Sequence, residues 1–286
     1  MKTLFHYCGN AAFMSIIEKK AIWLSDASLS NDTMEGRWIN HIAAEYASAQ
    51  GLSGQRADLF NIRISTVSEL WLGLALCLSE DGDVLSQWRG YAEDGTGVSI
   101  GFSDNVLSKQ CASLDGGTAR CALVPVIYDP EKQIDLLKST LDFTIGKFQS
   151  GELDYRHRTI MSDPDEYDEW LKRRDVANHE VLEQLIKLFP YIHSFKNPAF
   201  SEEREWRMIL QVLVRGGAPD YTDCEYRSAR NKLVPYRPIE IDNDEPAIIE
   251  VILGPKNETP IPVIQAFLRK CGFPSAKVSQ SKATYR

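Results

Sequence analysis

The stretch AFSEEREWRMIL, residues 199–210, sets Glu202, Glu203, Arg204 and Glu205 directly in front of Trp206 and a run that continues through Met208, Ile209, Leu210, Val212, Leu213 and Val214. EWRMILQVLV, rich in branched apolar residues, reads as a buried strand. The carboxylates at its entrance are then either a solvated rim or part of a site delivered at the strand's edge. The second reading requires polar groups from other segments to converge there, so the rest of the chain is searched for them.

Two more apolar runs, LWLGLALCLSE and GVSIGFS, read as strands, with DGDVLSQWRGYAEDGT between them making turns around a short helical piece. The chain opens as strand, helix, strand: TLFHYC, then NAAFMSIIEKK with Phe13, Ile16 and Ile17 on one face and Asn10 as N-cap, then AIWLSD. SNDTMEGRW begins with cap residues and leads into a helix carrying Met34, Trp38, Ile42 and Tyr46, after which comes a polar loop. RCALVPVIYD is a strand that Pro125 places at an edge or a bulge. From about residue 130 to 195 the period becomes helical, through Ile134, Leu137, Leu141, Ile145 and Phe148 and then Trp170, Ala177, Leu182, Leu185 and Phe189. Strands return with EWRMILQVLV and AIIEVILGP, followed by a helix opened by Pro262 and closed before Gly272, and by AKVSQS. The expected class is α+β, one domain over residues 1–286 with a helical insertion at about 130–195.

At 286 residues and 43% hydrophobic the chain can bury a substantial core. Its net charge of −8 argues against a general nucleic-acid coat, though a local basic groove stays open. The six cysteines include no C-x-x-C pair, and MKTLFHYCGNAAF has no secretory leader, so reduced thiols in a cytoplasmic protein are expected. No apolar window approaches the ~18 residues of a membrane span, and no membrane role is expected.

GTGVSIG has glycines ahead of a strand instead of between a strand and a helix, so it reads as a hairpin turn and not as a dinucleotide fingerprint. P-loop, G-x-S-x-G and H-E-x-x-H motifs are absent, and the five histidines lack metal spacing. Four clusters join polar groups to aromatics at predicted strand edges: FHYC, LSNDTMEG, QWRGYAEDGTG and SEEREWR. Singly, His6 and Tyr7 are half-buried strand residues, Asp32 a cap and Tyr91 a turn aromatic. Jointly they have the makings of a cleft.

In order along the chain, LFHY, FMSIIEKKAIWLSD, ND, CLSE, QWRGYAEDGTGVSIGF, FSEEREWRMIL, VILGP and the closing SKATYR resemble a widespread uncharacterised prokaryotic domain family of mobile elements and phage-defence loci. The opening is also similar to that of ADP-ribosyltransferases of the histidine-tyrosine-glutamate type. That resemblance implies a split β-sheet core and NAD as substrate. It assigns His6 to the histidine, Tyr91 to the tyrosine, with Tyr7 as the alternative, and Glu205 to the glutamate. Glu203-Arg204-Glu205 resembles the Glu-x-Glu of transferase toxins. The residues implied around NAD are His6, Tyr7, Ser25, Asn31, Trp88, Tyr91 and Arg207.

The chemistry fits those residue types. Breaking the nicotinamide glycosidic bond develops positive charge on the ribose, as in glycoside hydrolysis. A carboxylate there stabilises the transition state more than the ground state, which is the role implied for Glu205 through the ribose 2'-hydroxyl. Tyr91 would stack on the nicotinamide, and His6 would bond the adenosine-side ribose. Glu203, expected at an exposed position one step earlier, would bind or deprotonate the acceptor nucleophile. Arg204 and Arg207 are candidates for the diphosphate, Arg207 alternatively for pairing with a nearby carboxylate.

Two other classes stay open: a metal-dependent nuclease in which Asp32, Glu35, Glu203 and Glu205 converge on Mg²⁺, and a non-catalytic sensor or partner-binding module with aromatic-rich loops. The acceptor of a transferase would be nucleic acid or protein. YRHR at 155–158, KRR at 172–174 and YRSARNK at 226–232 suit a local single-strand contact, with a solvated helix face preferred for KRR. A toxin role would call for a neutralising antitoxin or a chaperone partner.

Overall fold

The computed structural model describes residues 2–30, 34–159, 162–214, 218–229, 231–241 and 246–285. In chain order it runs β1 (Thr3–Cys8), α1 (Asn10–Lys19), β2 (Ala21–Asp26), α2 (Trp38–Ala49), α3 (Gly54–Glu69), β3 (Trp71–Ser79), α4 (Leu85–Tyr91) and β4 (Val98–Ser103). There follow α5 (Asp104–Leu114), β5 (Ala119–Pro125), α6 (Pro130–Gln149), α7 (Pro164–Ile186) and β6 (Glu205–Leu213). The chain closes with β7 (Glu225–Ala229), β8 (Lys232–Glu240), β9 (Ile248–Leu253), α8 (Ile261–Lys270) and β10 (Lys277–Gln280). This is a mixed α/β protein with a mostly antiparallel sheet, the coarse form of the α+β expectation. No helix among the described residues is long and apolar enough to cross a membrane.

Two compact units share the chain. The first takes Met1–Thr33, Leu72–Val126 and Ala199–Arg286, and contains the sheet. Its strands run in the order β10-β9-β4-β1-β3-β2-β8-β7, while β6 pairs with both β3 and β5. Strand β3 therefore has three partners. It meets β1 at Phe5↔Ser79 and β2 at Ser25↔Ala75 and Asp26↔Leu74, so residues 76–78 lie between those two registers.

Period-2 alternation sorts the two faces of this sheet. Leu72, Leu74, Leu76 and Leu78 of β3, Met208 and Leu210 of β6, and Ile22 and Leu24 of β2 enter the main core. There they meet Phe13, Ile16 and Ile17 of α1, Val106 and Leu107 of α5, and Ile264 and Leu268 of α8. Each such burial contributes about 1.5–3 kcal/mol. The opposite face is more polar. Ile209 packs there with Ala27, Ala75 and Val124, which puts Glu205, Arg207 and Gln211 on that side too. Ser25 is paired with Ala75 and Tyr236, and Tyr236 with Glu225, so Ser25, Glu225 and Arg227 share the same face.

The second unit takes Met34–Trp71 and Ile127–Pro198. Helices α2, α3, α6 and α7 bury Ile39, Phe60, Leu141, Ile145, Phe148 and Val181 among their core residues. Asp129 and Asp163 cap α6 and α7 by accepting the backbone N–H groups of residues two and three further on, each with proline at the first helical position. In the basic stretches Arg156 lies over Trp170 and Arg158 over Tyr167, each guanidinium 5.8 Å from the ring centre.

Several local expectations change. The polar loop after Tyr46 contains α3, whose Phe60, Ile64 and Val67 recur at helical spacing and are buried, too sparse a stripe to stand out among its polar residues. Asn10 does not cap α1; Gly9 occupies that position and the Asn10 amide donates to the Thr96 carbonyl. The glycines of GTGVSIG join α4 to β4 and form no hairpin turn. A Cβ on Gly97 would come within 2.2 Å of the Cys8 carbonyl oxygen, so close backbone passage demands glycine. Strand β5 pairs with β6 alone among the described residues, in line with Pro125 at an edge. The stretch YRSARNK belongs largely to the β7–β8 pair and not to a helix face.

Candidate functional site

The entrance of β6 is a sharp corner. Residues 198–203 form a 3₁₀ turn, and Arg204 adopts φ +42°, a left-handed conformation that turns the chain into β6. The end of β3 holds this corner: the Ser79 hydroxyl donates to the Glu203 carbonyl at 2.8 Å, and the Glu80 N–H donates to the Arg204 carbonyl at 3.2 Å. Arg204 pairs with Asp81 at 3.0 Å, and the Trp206 indole N–H donates to Glu80 at 2.8 Å. Because the backbone is not extended through Arg204, Glu203 and Glu205 are not neighbours on one strand face. Glu203, expected at an exposed position, is 8% exposed, and its carboxylate accepts the Tyr91 hydroxyl at 3.1 Å.

Glu205 is also buried, and Arg207 grips it through both oxygens, Nε to Oε1 at 2.8 Å and a terminal nitrogen to Oε2 at 3.0 Å. The i, i+2 spacing on one strand face makes that bidentate geometry available.

Tyr91 ends α4 and is 41% exposed. What fixes α4 is the Asp83 carboxylate, which accepts the Trp88 indole N–H at 2.8 Å, the Lys282 backbone N–H at 2.7 Å and the Ser281 hydroxyl. The tail is pinned a second time where the Tyr285 hydroxyl donates to Asp94 at 2.6 Å. Trp88 is fully buried edge-on against Tyr7, ring centres 4.8 Å apart. The Tyr7 hydroxyl donates to the Asp81 carbonyl and accepts from the Val84 N–H. Burial, opposed by that Val84 bond, raises the Tyr7 pKa.

His6 stands where β1 parts from β3. Its Nδ1 lies 2.9 Å from the Cys77 carbonyl oxygen, in the interval between the β1 and β2 registers. A carbonyl only accepts, so Nδ1 carries the proton and the neutral ring presents Nε2 as an acceptor. Burial lowers the His6 pKa, the Cys77 bond opposes this, and the nearby Arg227 guanidinium lowers it further. Arg227 itself donates to the Ser25 hydroxyl at 3.3 and 3.4 Å.

The structure thus ties His6, Glu203 and Tyr91 to one end of β3, through Cys77, Ser79 and Glu203, with Glu205 beginning the adjoining strand. Trp88 of α4 and Tyr7 of β1 form a packed pair. Ser25 sits with Arg227. Asn31 and Asp32 fall outside the described residues. Among the described residues no group of three or more His, Cys, Asp or Glu is placed to hold a metal ion. Sequence reasoning missed Asp83, Ser79 and Arg227. Arg227 was seen only as part of a basic stretch; the alternation in EYRSA and KLVPYRP was the signal for the hairpin that aims it.

No curated protein and no solved structure matches the chain. A family match covers Trp88, Tyr91, Glu203, Glu205 and Arg207 and leaves His6, Tyr7 and Ser25 outside it. The matching segment, residues 87–208, fits the model of an uncharacterised family described as a protein of unknown function, DUF2971.

Proposed function

We propose that the protein is an NAD-dependent mono-ADP-ribosyltransferase on a split-sheet core, acting as a toxin or phage-defence effector on a nucleic-acid or protein acceptor. The observation that carries this reading is the attachment of His6, Tyr91 and Glu203 to residues 77–79, directly beside Glu205. Two strands, one 3₁₀ turn and one short helix supply these groups to one strand end. The donor set fits a dinucleotide: an exposed aromatic ring, two carboxylates, a neutral histidine and an arginine.

Bound NAD would supply the labile bond between a cationic nicotinamide and ribose, and the side chains of this chain do the rest. Arg207 orients Glu205 through both oxygens, so that its charge faces the ribose as positive charge grows there. Tyr91, and not Tyr7, offers the stacking face, since the Tyr7 ring and hydroxyl are both consumed in packing. Glu203 accepts the proton that the acceptor group loses as its bond to the ribose forms, while nicotinamide leaves with the electrons of the broken bond. His6 accepts a ribose hydroxyl through Nε2.

The test is incubation of purified protein with adenylate-labelled NAD and cell extract, followed by separation of nucleic acid from protein. Label entering either fraction from the wild type, with EDTA present, supports the proposal. Label that appears in neither fraction, together with unchanged NAD, removes it.

A further inference from the structure

Arg227 lies on the polar sheet face. It is half-buried on β7, its burial lowers its own pKa, and among the described residues no carboxylate pairs with it. Its hydrogen-bond partner is the neutral Ser25 hydroxyl, at the long distances of 3.3 and 3.4 Å. Glu225, two residues earlier on the same face of β7, accepts the Tyr236 hydroxyl at 2.7 Å. A partly desolvated guanidinium without a counter-ion is costly, and its five N–H donors in a planar fork match a phosphate or carboxylate edge. His6 lies close enough to feel its charge.

We propose that Arg227, with the Ser25 hydroxyl, forms an oxyanion subsite that takes the phosphate groups of a nucleotide. Ser25 supplies a second donor, because its hydroxyl proton is free to point away from the guanidinium that it accepts from. The β7–β8 pair sets the arginine rigidly: Arg227↔Val234 and Tyr236↔Ser25 fix which way each side chain projects. The subsite is separate from Arg204 and Arg207, the arginines singled out in the sequence for a diphosphate, both of which are paired with carboxylates. It stands on the charge imbalance alone; that the phosphates are those of NAD rests on the proposed function.

The experiment is calorimetric titration of the full chain with inorganic pyrophosphate, ADP-ribose and NAD, on wild type, Arg227→Gln and Arg227→Lys. Losing a bidentate charge-assisted contact of this kind should weaken pyrophosphate and ADP-ribose at least about tenfold in Arg227→Gln, with Arg227→Lys intermediate. Since Arg227 has no carboxylate partner, Arg227→Gln should melt no lower than wild type, which separates lost binding from lost fold. Pyrophosphate binding that Arg227→Gln leaves unchanged, or no pyrophosphate binding by the wild type, overturns the subsite. Arg227-dependent binding of pyrophosphate and ADP-ribose without NAD binding supports the subsite and sinks the transferase reading. NAD binding that ignores Arg227 does the reverse.

Discussion

Arg207 holds Glu205 by both carboxylate oxygens, and the two side chains are 1% and 6% exposed. This answers why carboxylates stand at the entrance of a buried strand: one is paired in the interior, and another, Glu203, is folded back under a tyrosine. Breaking a buried pair from one side typically costs ~3–5 kcal/mol, because the survivor is stranded, whereas replacing both partners by apolar groups is often close to neutral. Arg207→Met alone should therefore lower the melting temperature sharply, and Glu205→Leu with Arg207→Met should recover much of it. Activity should stay absent in the double variant. Recovered activity there would make the pair purely structural.

The two tyrosines should separate by phenotype. Tyr7→Phe strands the Asp81 carbonyl and Val84 N–H and should cost about 1–3 kcal/mol in stability, with kcat retained in the fraction that folds. Tyr91→Phe keeps the ring and should be mild, whereas Tyr91→Ala should raise KM for NAD at least about tenfold with little change in melting. Denaturant melts and steady-state kinetics on the three variants measure this. Wild-type KM in Tyr91→Ala would take the ring out of the site.

His6 gives a pH dependence of known sign. Its folded pKa is lowered, so below about pH 6.5 the unfolded chain takes up a proton that the folded chain refuses, and its contribution to stability declines as pH falls toward the lowered value. Above about pH 6.5 the contribution is constant. His6→Gln should flatten this part of the stability profile between pH 7 and 5, as read by denaturant midpoints. An unchanged slope in His6→Gln would place the titration elsewhere.

Asp83 binds α4 to the tail. Asp83→Ala strands the Trp88 indole N–H and the Lys282 backbone N–H together and should cost about 2–4 kcal/mol at two bonds of ~1–2 kcal/mol each, whereas removing residues 281–286 keeps the Trp88 bond to Asp83 and takes away the Ser281 and Lys282 bonds. Tyr91 would lose its position without being touched. Activity should fall with proteolytic sensitivity around residues 85–97; full activity after truncation would show that the tail does not support α4.

How much of this was legible varied with the physical cause. Strands with uninterrupted or alternating apolar residues, such as β3, β4 and β6, and helices with a dense stripe, such as α6, could be read directly. Helix α3 could not, because Phe60, Ile64 and Val67 are its only deeply buried apolar positions and become meaningful only against α2 and α6. Among the candidate site residues, Glu203, Glu205 and Tyr91 drew notice because charge and aromatics crowd at predicted strand ends. Arg207's commitment to Glu205 was foreseen only as one of two options, since strand spacing permits the pair but does not require it. The left-handed turn at Arg204 had no sequence signal, as arginine is not a residue that favours positive φ. Arg227 was hidden because the pairing of β7 with β8, and of β8 with β2, is a long-range event.

The most direct measurement is nicotinamide release from NAD by the purified chain in EDTA, with and without acceptor extract, for wild type, Glu203→Gln and Glu205→Gln. Ribosyl transfer through these residues predicts release by the wild type, a loss of roughly 10²–10³ with or without acceptor in folded Glu205→Gln, and in Glu203→Gln a loss mainly of the acceptor-dependent part. No release by the wild type, or full release by Glu205→Gln, would contradict it.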